Sequence, residues 1–333
     1  MKVGVLQFFG WLDRSLPLEE VYRAALERVE VMDRTGYDAV WFAEHHFNAF
    51  SVCPSVHVMA AHAAARTTRL RIGTAVTLAA LHHPLRIAEE VALVDVLSGG
   101  RVNWGAGRGF DLREFEVFGV PPAESAERFR EAVDVVLRAW TEERIEHHGR
   151  FHQFAGVEVL PKPRQRPHPP VWMAATSPES IRWAASQGHS ILMDPHSSHV
   201  EIGIKRAMYR EELARHGHPV DGRELPVARL VAVASTRAEA EEVARRGARW
   251  TLSSYYGPEH RALGAVGAAR TAPPRDPVER YLDGVMVWGT PDQVTDELLR
   301  LEAEIGLDHL LLAPLSRRSF SLFTDAVLPR LAG

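Results

Sequence analysis

The sequence predicts an α/β fold, a (β/α)8 TIM barrel, on three observations. Apolar runs of strand length alternate with helical patterns along the whole chain, the alternation counts to eight, and no glycine fingerprint follows the first strand as an open dinucleotide-binding sheet would require. At 333 residues the chain suits a single barrel, because α/β barrels commonly run as one domain at this length. Residues 1–333 are therefore taken as one domain, with insertion segments over about 143–170 and 252–284 on the C-terminal face.

The elements follow in order. Residues 3–8 form a first apolar strand, and residues 18–34 a helix that stops at Gly36. Residues 38–43 (DAVWFA) are a second strand, followed by an Ala-rich helix over 54–66. Residues 70–76 (LRIGTAV) are the third strand, with a helix over 85–97 closed by Ser98-Gly99-Gly100. Residues 101–105 are the fourth, followed by a long amphipathic helix over 123–140. An irregular, Pro- and His-rich stretch leads to the fifth strand, 171–174 (VWMA), and the helix 178–187. Strands over 190–193, 226–234 and 309–313 complete the set, with helices over 200–215, 238–250, 291–305 and 320–331. The strands at Asp38, Leu70 and Val171 are mostly apolar rather than alternating, as parallel strands covered by helices should be.

Composition narrows the function. The chain is 46% hydrophobic and 25% charged, with a net charge of -4, so it lacks the basic field that recruits nucleic acid or an anionic membrane. Cys53 is the single cysteine, which excludes an internal disulfide and a Cys-rich zinc site and fits a reducing, cytoplasmic setting. The N-terminal apolar stretch is short and runs into Asp13 and Arg14, so it is expected to be a strand and not a signal peptide.

In a barrel the functional residues sit just after the strands. After the second strand stand Glu44, His45, His46 and Phe47. Any one histidine suits a polar network that holds a loop. Two chemical readings compete with that: His45 as a general base or hydrogen-bond donor near a cofactor, oriented by Glu44, or the cluster as metal ligands. Adjacent residues on extended backbone point to opposite sides, which argues against Glu44, His45 and His46 sharing an ion, and no metal is expected. The pairs His82-His83 and His147-His148 are taken as solvated loop residues. After the third strand, Thr74, Ala75 and Val76 are small enough to let a flat ligand lie on the backbone, or simply to pack the core. After the fourth, Gly105-Ala106-Gly107-Arg108-Gly109 is either a turn or a close backbone approach with an anion-gripping fork at Arg108. After the fifth, Ser177, Pro178 and Ser180 form either a plain helix cap or an anion site at a helix N-terminus.

Several longer runs carry a resemblance. They are Gly36-Tyr37-Asp38-Ala39-Val40-Trp41-Phe42-Ala43-Glu44-His45-His46-Phe47, then Arg71-Ile72-Gly73-Thr74-Ala75-Val76 with His83-Pro84-Leu85-Arg86, and Asp95-Val96-Leu97-Ser98-Gly99-Gly100-Arg101 followed by Gly105-Ala106-Gly107-Arg108-Gly109. Through these, and through Gly289-Thr290-Pro291 and Val327-Leu328-Pro329, the chain resembles the bacterial luciferase-like flavin-dependent monooxygenases over nearly its full length. The resemblance implies a barrel that binds reduced FMN and uses it with molecular oxygen to oxygenate a small organic substrate. It implies a flavin reductase as partner, through which NAD(P)H acts indirectly, and a homodimer. It places His45 near the reactive edge of the flavin ring and Glu44 beside the ring. Ala75 and Val76 lie beneath the ring at a strained or cis peptide, and Arg108, Ser177 and Ser180 contact the phosphate. Residues 252–284 match a lid loop. Ala106 stands where luciferase proper has cysteine, and Ala126 where a second phosphate-contacting arginine is expected, which counts against light emission. The alternative on the same barrel is a dehydrogenase or reductase using FMN or F420; a metal-dependent hydrolase and a non-catalytic flavin-binding partner are the other rivals.

Overall fold

Strands and helices alternate along the chain in the computed structural model, which describes all residues except 12, 13, 15, 257–275 and 332–333. The N-terminal half runs β1 (Lys2–Gln7), α1 (Leu18–Arg34), β2 (Ala39–Phe42), α2 (Val56–Arg66), β3 (Arg71–Thr74), β4 (Thr77–Leu78), α3 (Pro84–Leu97), β5 (Val102–Gly107), α4 (Leu112–Val117) and α5 (Ser125–Thr141). Then come β6 (Ile145–His148), β7 (Gln153–Val157), β8 (Val171–Ala174), α6 (Pro178–Ser186), β9 (Ser190–Leu192), α7 (His199–Arg215) and β10 (Pro226–Val233). The chain closes with α8 (Arg237–Tyr256), α9 (Pro277–Gly284), β11 (Val287–Gly289), α10 (Pro291–Ile305), β12 (His309–Pro314), α11 (Arg317–Leu322) and α12 (Leu328–Leu331). Every strand expected from the apolar pattern is present, as β1, β2, β3, β5, β8, β9, β10 and β12. The irregular stretch holds the antiparallel hairpin β6–β7, which the pattern did not announce; β4, α4, α9 and β11 are also new. The lid expected over 252–284 lies largely outside the described residues; α8 and α9 flank the gap.

Two units divide these elements. One contains residues 1–6, 34–39 and 173–333, the other residues 7–33 and 40–172. In the first, the strand order β11-β10-β12-β1 is parallel throughout, with Val3 opposite Leu310 and Val227 opposite Leu310 on the other side. Met193, at the exit of β9, bridges Val227. The eight residues of β10 are all buried, as expected of a parallel strand with both faces covered. Helix α10 shows how sequence sets a helix end. Thr290 and Gln293 form a reciprocal capping box, Pro291 opens the first turn, and Gly306 closes the last at φ 68°, where a side chain is disfavoured.

The second unit is built on the neighbouring strands β2, β3 and β5, with β3 and β5 parallel. Its packing is tight at Gly73, where an added Cβ would collide with the Trp41 indole. Trp41 meets Trp172 edge-on at 5.2 Å. The Asp33 carboxylate at the end of α1 accepts the amides of Thr68, Arg69 and Leu70 and so fixes the entry into β3. The turn between β6 and β7 is held likewise: Glu131 on α5 accepts the amides of Arg150, Phe151 and His152. Among the described residues no helix is long and apolar enough to cross a membrane.

Candidate active site

The second strand delivers its polar residues into the unit formed by residues 7–33 and 40–172. β2 is apolar and fully buried as far as Phe42, and Glu44, His45 and His46 follow it still buried. Phe47 then turns the chain in the left-handed region at φ 58°. The His45 ring sits among Phe8, Phe50 and Phe110, with centroids 6.3, 5.1 and 6.0 Å away. Its Nδ1 lies 3.7 Å from Oε1 of Glu114, a buried carboxyl on α4 that also accepts the backbone N–H of His46 at 2.9 Å. At 3.7 Å the imidazole and carboxyl are close neighbours rather than hydrogen-bonded.

Glu44 does something other than orient His45, and that expectation is corrected. Oε1 of Glu44 accepts Nε2 of His46 at 3.0 Å and Nε2 of His82 at 2.5 Å, and Oε2 accepts the N–H of Leu78 at 3.2 Å. The cause is the alternation of extended backbone: residues 44 and 46 share a side, and 45 faces the other way. Burial alone would raise the Glu44 carboxyl, but the hydrogen bonds from His46 and His82 outweigh it and hold it at about 2. Burial would lower His82, and Glu44 reverses that and raises it. His82 is thus a half-buried partner of Glu44 rather than a solvated loop residue, and His147 is likewise tied to Glu131. One ligand atom each from Glu44, His46 and His82 lie within 4.8 Å of one another, so these three could hold a metal ion.

The third-strand residues lie in the same unit. The peptide between Ala75 and Val76 is cis, and the Ala75 N–H donates to Phe42 O at 2.7 Å. Thr74 clamps β3 to β5 by donating to Gly105 O and accepting Gly105 N–H. His57 spans Glu90 and Thr77, at 2.8 and 3.0 Å, completing a buried polar chain beside Glu44. Arg108, just past β5, is exposed and has no hydrogen bond or ion pair among the described residues. Gly109 beside it has φ +86°, a backbone state that disfavours any other residue. Such an unpaired guanidinium suits a phosphate, and the small residues at 75 and 76 suit a flat ring.

Ser177 and Ser180 belong to the other unit. Ser177 caps α6 as expected, with Pro178 at the first helical position. The two serines form a capping box, Ser180 N–H to Ser177 Oγ at 3.2 Å and Ser177 N–H to Ser180 Oγ at 3.1 Å. Ser177 is exposed and Ser180 half-buried, and their hydroxyls also bond each other at 3.1 Å. Glu114, His46 and His82 escaped the sequence reading as site residues. Alternation could have paired 44 with 46; nothing local marks residues 38 and 68 positions distant.

Comparison with known proteins adds the following. Residues 1–309 match the family model for luciferase-like monooxygenases. The oxygenase component of a flavin-dependent trigonelline monooxygenase from Acinetobacter baylyi is 33% identical over 179 residues, which are 53% of this chain and 49% of that protein. The chain spans about half the length of such curated relatives. Among solved structures, the monooxygenase RslO1 from Streptomyces bottropensis superposes with a TM-score of 0.84 at 27% identity, covering 100% of both chains. The oxygenating constituent of 3,6-diketocamphane monooxygenase from Pseudomonas putida, solved with FMN, gives 0.82 at 20% identity, over 99% of this chain and 98% of that one.

Proposed function

Because this chain belongs to the luciferase-like monooxygenase family, we propose that it is the oxygenase component of a two-component system that uses reduced FMN and molecular oxygen to oxygenate a small organic substrate. In this reading residues 1–333 form one luciferase-like (β/α)8 barrel domain, the enzyme is a cytoplasmic homodimer, and NAD(P)H acts through a separate flavin reductase. The flavin, when bound, supplies the electrons that activate oxygen; the protein supplies position, shelter and a proton site.

The observation that carries the reading is His45, held in an aromatic box with a buried carboxyl at Nδ1, in the same unit as an unpaired arginine. Glu114 beside Nδ1 positions the imidazole as the proposed proton-transfer group. The His46 amide in turn fixes Glu114. Phe8, Phe50 and Phe110 shed water from the imidazole. Glu44 acts one step away, locking His46 and His82 so that the loop carrying His45 keeps its course. Arg108, Ser177 and Ser180 are the proposed phosphate contacts, and Ala75 and Val76 the proposed floor beneath the ring.

The test is a substrate survey with reduced FMN supplied by a reductase, following oxygen uptake and product mass together. Incorporation of one oxygen atom into a product supports the proposal. Oxidation of an alcohol or reduction of a carbonyl with FMN or F420, without oxygen incorporation, refutes it.

A further inference from the structure

The first unit holds a buried arginine with two nitrogens that no described residue pairs. Arg229 on β10 is fully buried, with a relative exposure of 0%. Its Nη1 donates to the backbone oxygens of Ala228 at 2.9 Å and Asp194 at 3.3 Å. Its Nε and Nη2 have no partner among the described residues. Those two nitrogens share one edge of the guanidinium, the edge that grips two oxygens of a carboxylate side by side. The neighbouring carboxylates are already committed. Asp194 takes the amides of His196 and Ser197, the Ser197 hydroxyl and Lys205 Nζ at 3.0 Å. Glu201 takes the Ser198 amide and Arg280 Nη2 at 3.1 Å. Lys205 thus takes up Asp194 and Arg280 takes up Glu201, while Glu297 lies 3.9 Å from His199, and none of these carboxylates reaches Arg229 Nε or Nη2. His199, at the start of α7, is pushed down to about 4 by burial and then by Arg229, and its buried Nδ1 also lacks a partner. Burial lowers Arg229 itself only to about 10, so it stays charged at neutral pH.

A buried charge without a counterion is costly, and proteins resolve it by pairing. We propose that Arg229 Nε and Nη2, with His199 at the rim, bind one small monovalent anion of halide or formate size inside this unit. The shared edge of the fork favours an ion that meets both nitrogens at once, and the complete burial of the side chain favours a small one. The bound anion pairs the guanidinium and ties β10 to the first turn of α7.

The test has two readouts on the full chain. Thermal unfolding is followed while sodium gluconate is replaced by sodium bromide or sodium formate at fixed ionic strength. A saturable rise of about 2 °C or more is expected for the natural protein. Arg229→Lys keeps the charge but loses the fork and should weaken the midpoint concentration by about tenfold or more. Arg229→Met should abolish the dependence. Should neither variant fold, a crystal of the natural protein soaked in bromide decides alone. An anomalous peak within hydrogen-bond reach of both Nε and Nη2 supports the site. Water there with no anomalous signal, or a melting curve indifferent to which anion is present, overturns it.

Discussion

His45 concentrates the proposed chemistry because aromatic rings and a buried carboxyl surround its imidazole. If the imidazole moves a proton, His45→Ala should lower turnover by about 10²- to 10⁴-fold, the usual worth of a positioned acid–base group, with flavin affinity little changed. Steady-state product formation at saturating flavin measures the first, and a binding titration the second. A loss confined to flavin affinity would point to a packing role. Glu44 yields a pH prediction. Its carboxyl is lowered from an ordinary 4.5 to about 2, so its contribution to stability is present above 4.5 and disappears as pH falls through about 2. His82 is raised above 6.5, so its contribution is full below 6.5 and disappears as pH rises through the raised value. The Glu44–His82 pair therefore stabilises most between about pH 4.5 and 6.5. The melting temperature of Glu44→Gln, compared with the natural protein across this range, should show its largest deficit inside that window. An equal deficit at pH 6 and pH 9 would contradict the assignment.

Elements rise or fall here on single positions. Gly73→Ala puts a methyl into the Trp41 indole and should cost about 1–3 kcal/mol, read by denaturant unfolding. Ser177→Ala removes the cap of α6 and should cost about 1 kcal/mol. The same change tests the phosphate proposal, because a pure cap leaves FMN affinity unmoved. What could be read of these elements followed their physics. β2 and β8 are short, wholly apolar strands and stand out in the sequence, whereas the fully buried β10 carries Arg229 within its apolar run. β11 spans only Val287–Gly289 and owes its strand character to pairing with β10, a non-local cause with no local trace. The β6–β7 hairpin carries His and Gly where an alternating strand would carry apolar residues, and Glu131 on a distant helix holds its turn. Helix α4 has six residues behind a glycine-rich run, too short for periodicity, yet it brings Glu114 to His45.

At the scale of the molecule, the repeating strand–helix order was legible because it is written in composition at every turn of the chain. The candidate site was legible by half. Glu44, His45, Arg108, Ser177 and Ser180 stand at strand ends, where function in such folds collects. Their partners are set by tertiary packing: His82 on a loop 38 residues beyond Glu44, Glu114 on a helix 68 residues beyond His46. The chain has net charge -4, and Arg108 is exposed and unpaired among the described residues, which supports its proposed role as the phosphate contact. The most direct measurement of the whole account is an anaerobic titration of the protein with FMN in both oxidation states, alongside Arg108→Ala. Saturable binding of the reduced form, weakened by about tenfold or more when the arginine is removed, is the result expected. A folded protein with no measurable affinity for either form of the flavin would contradict it.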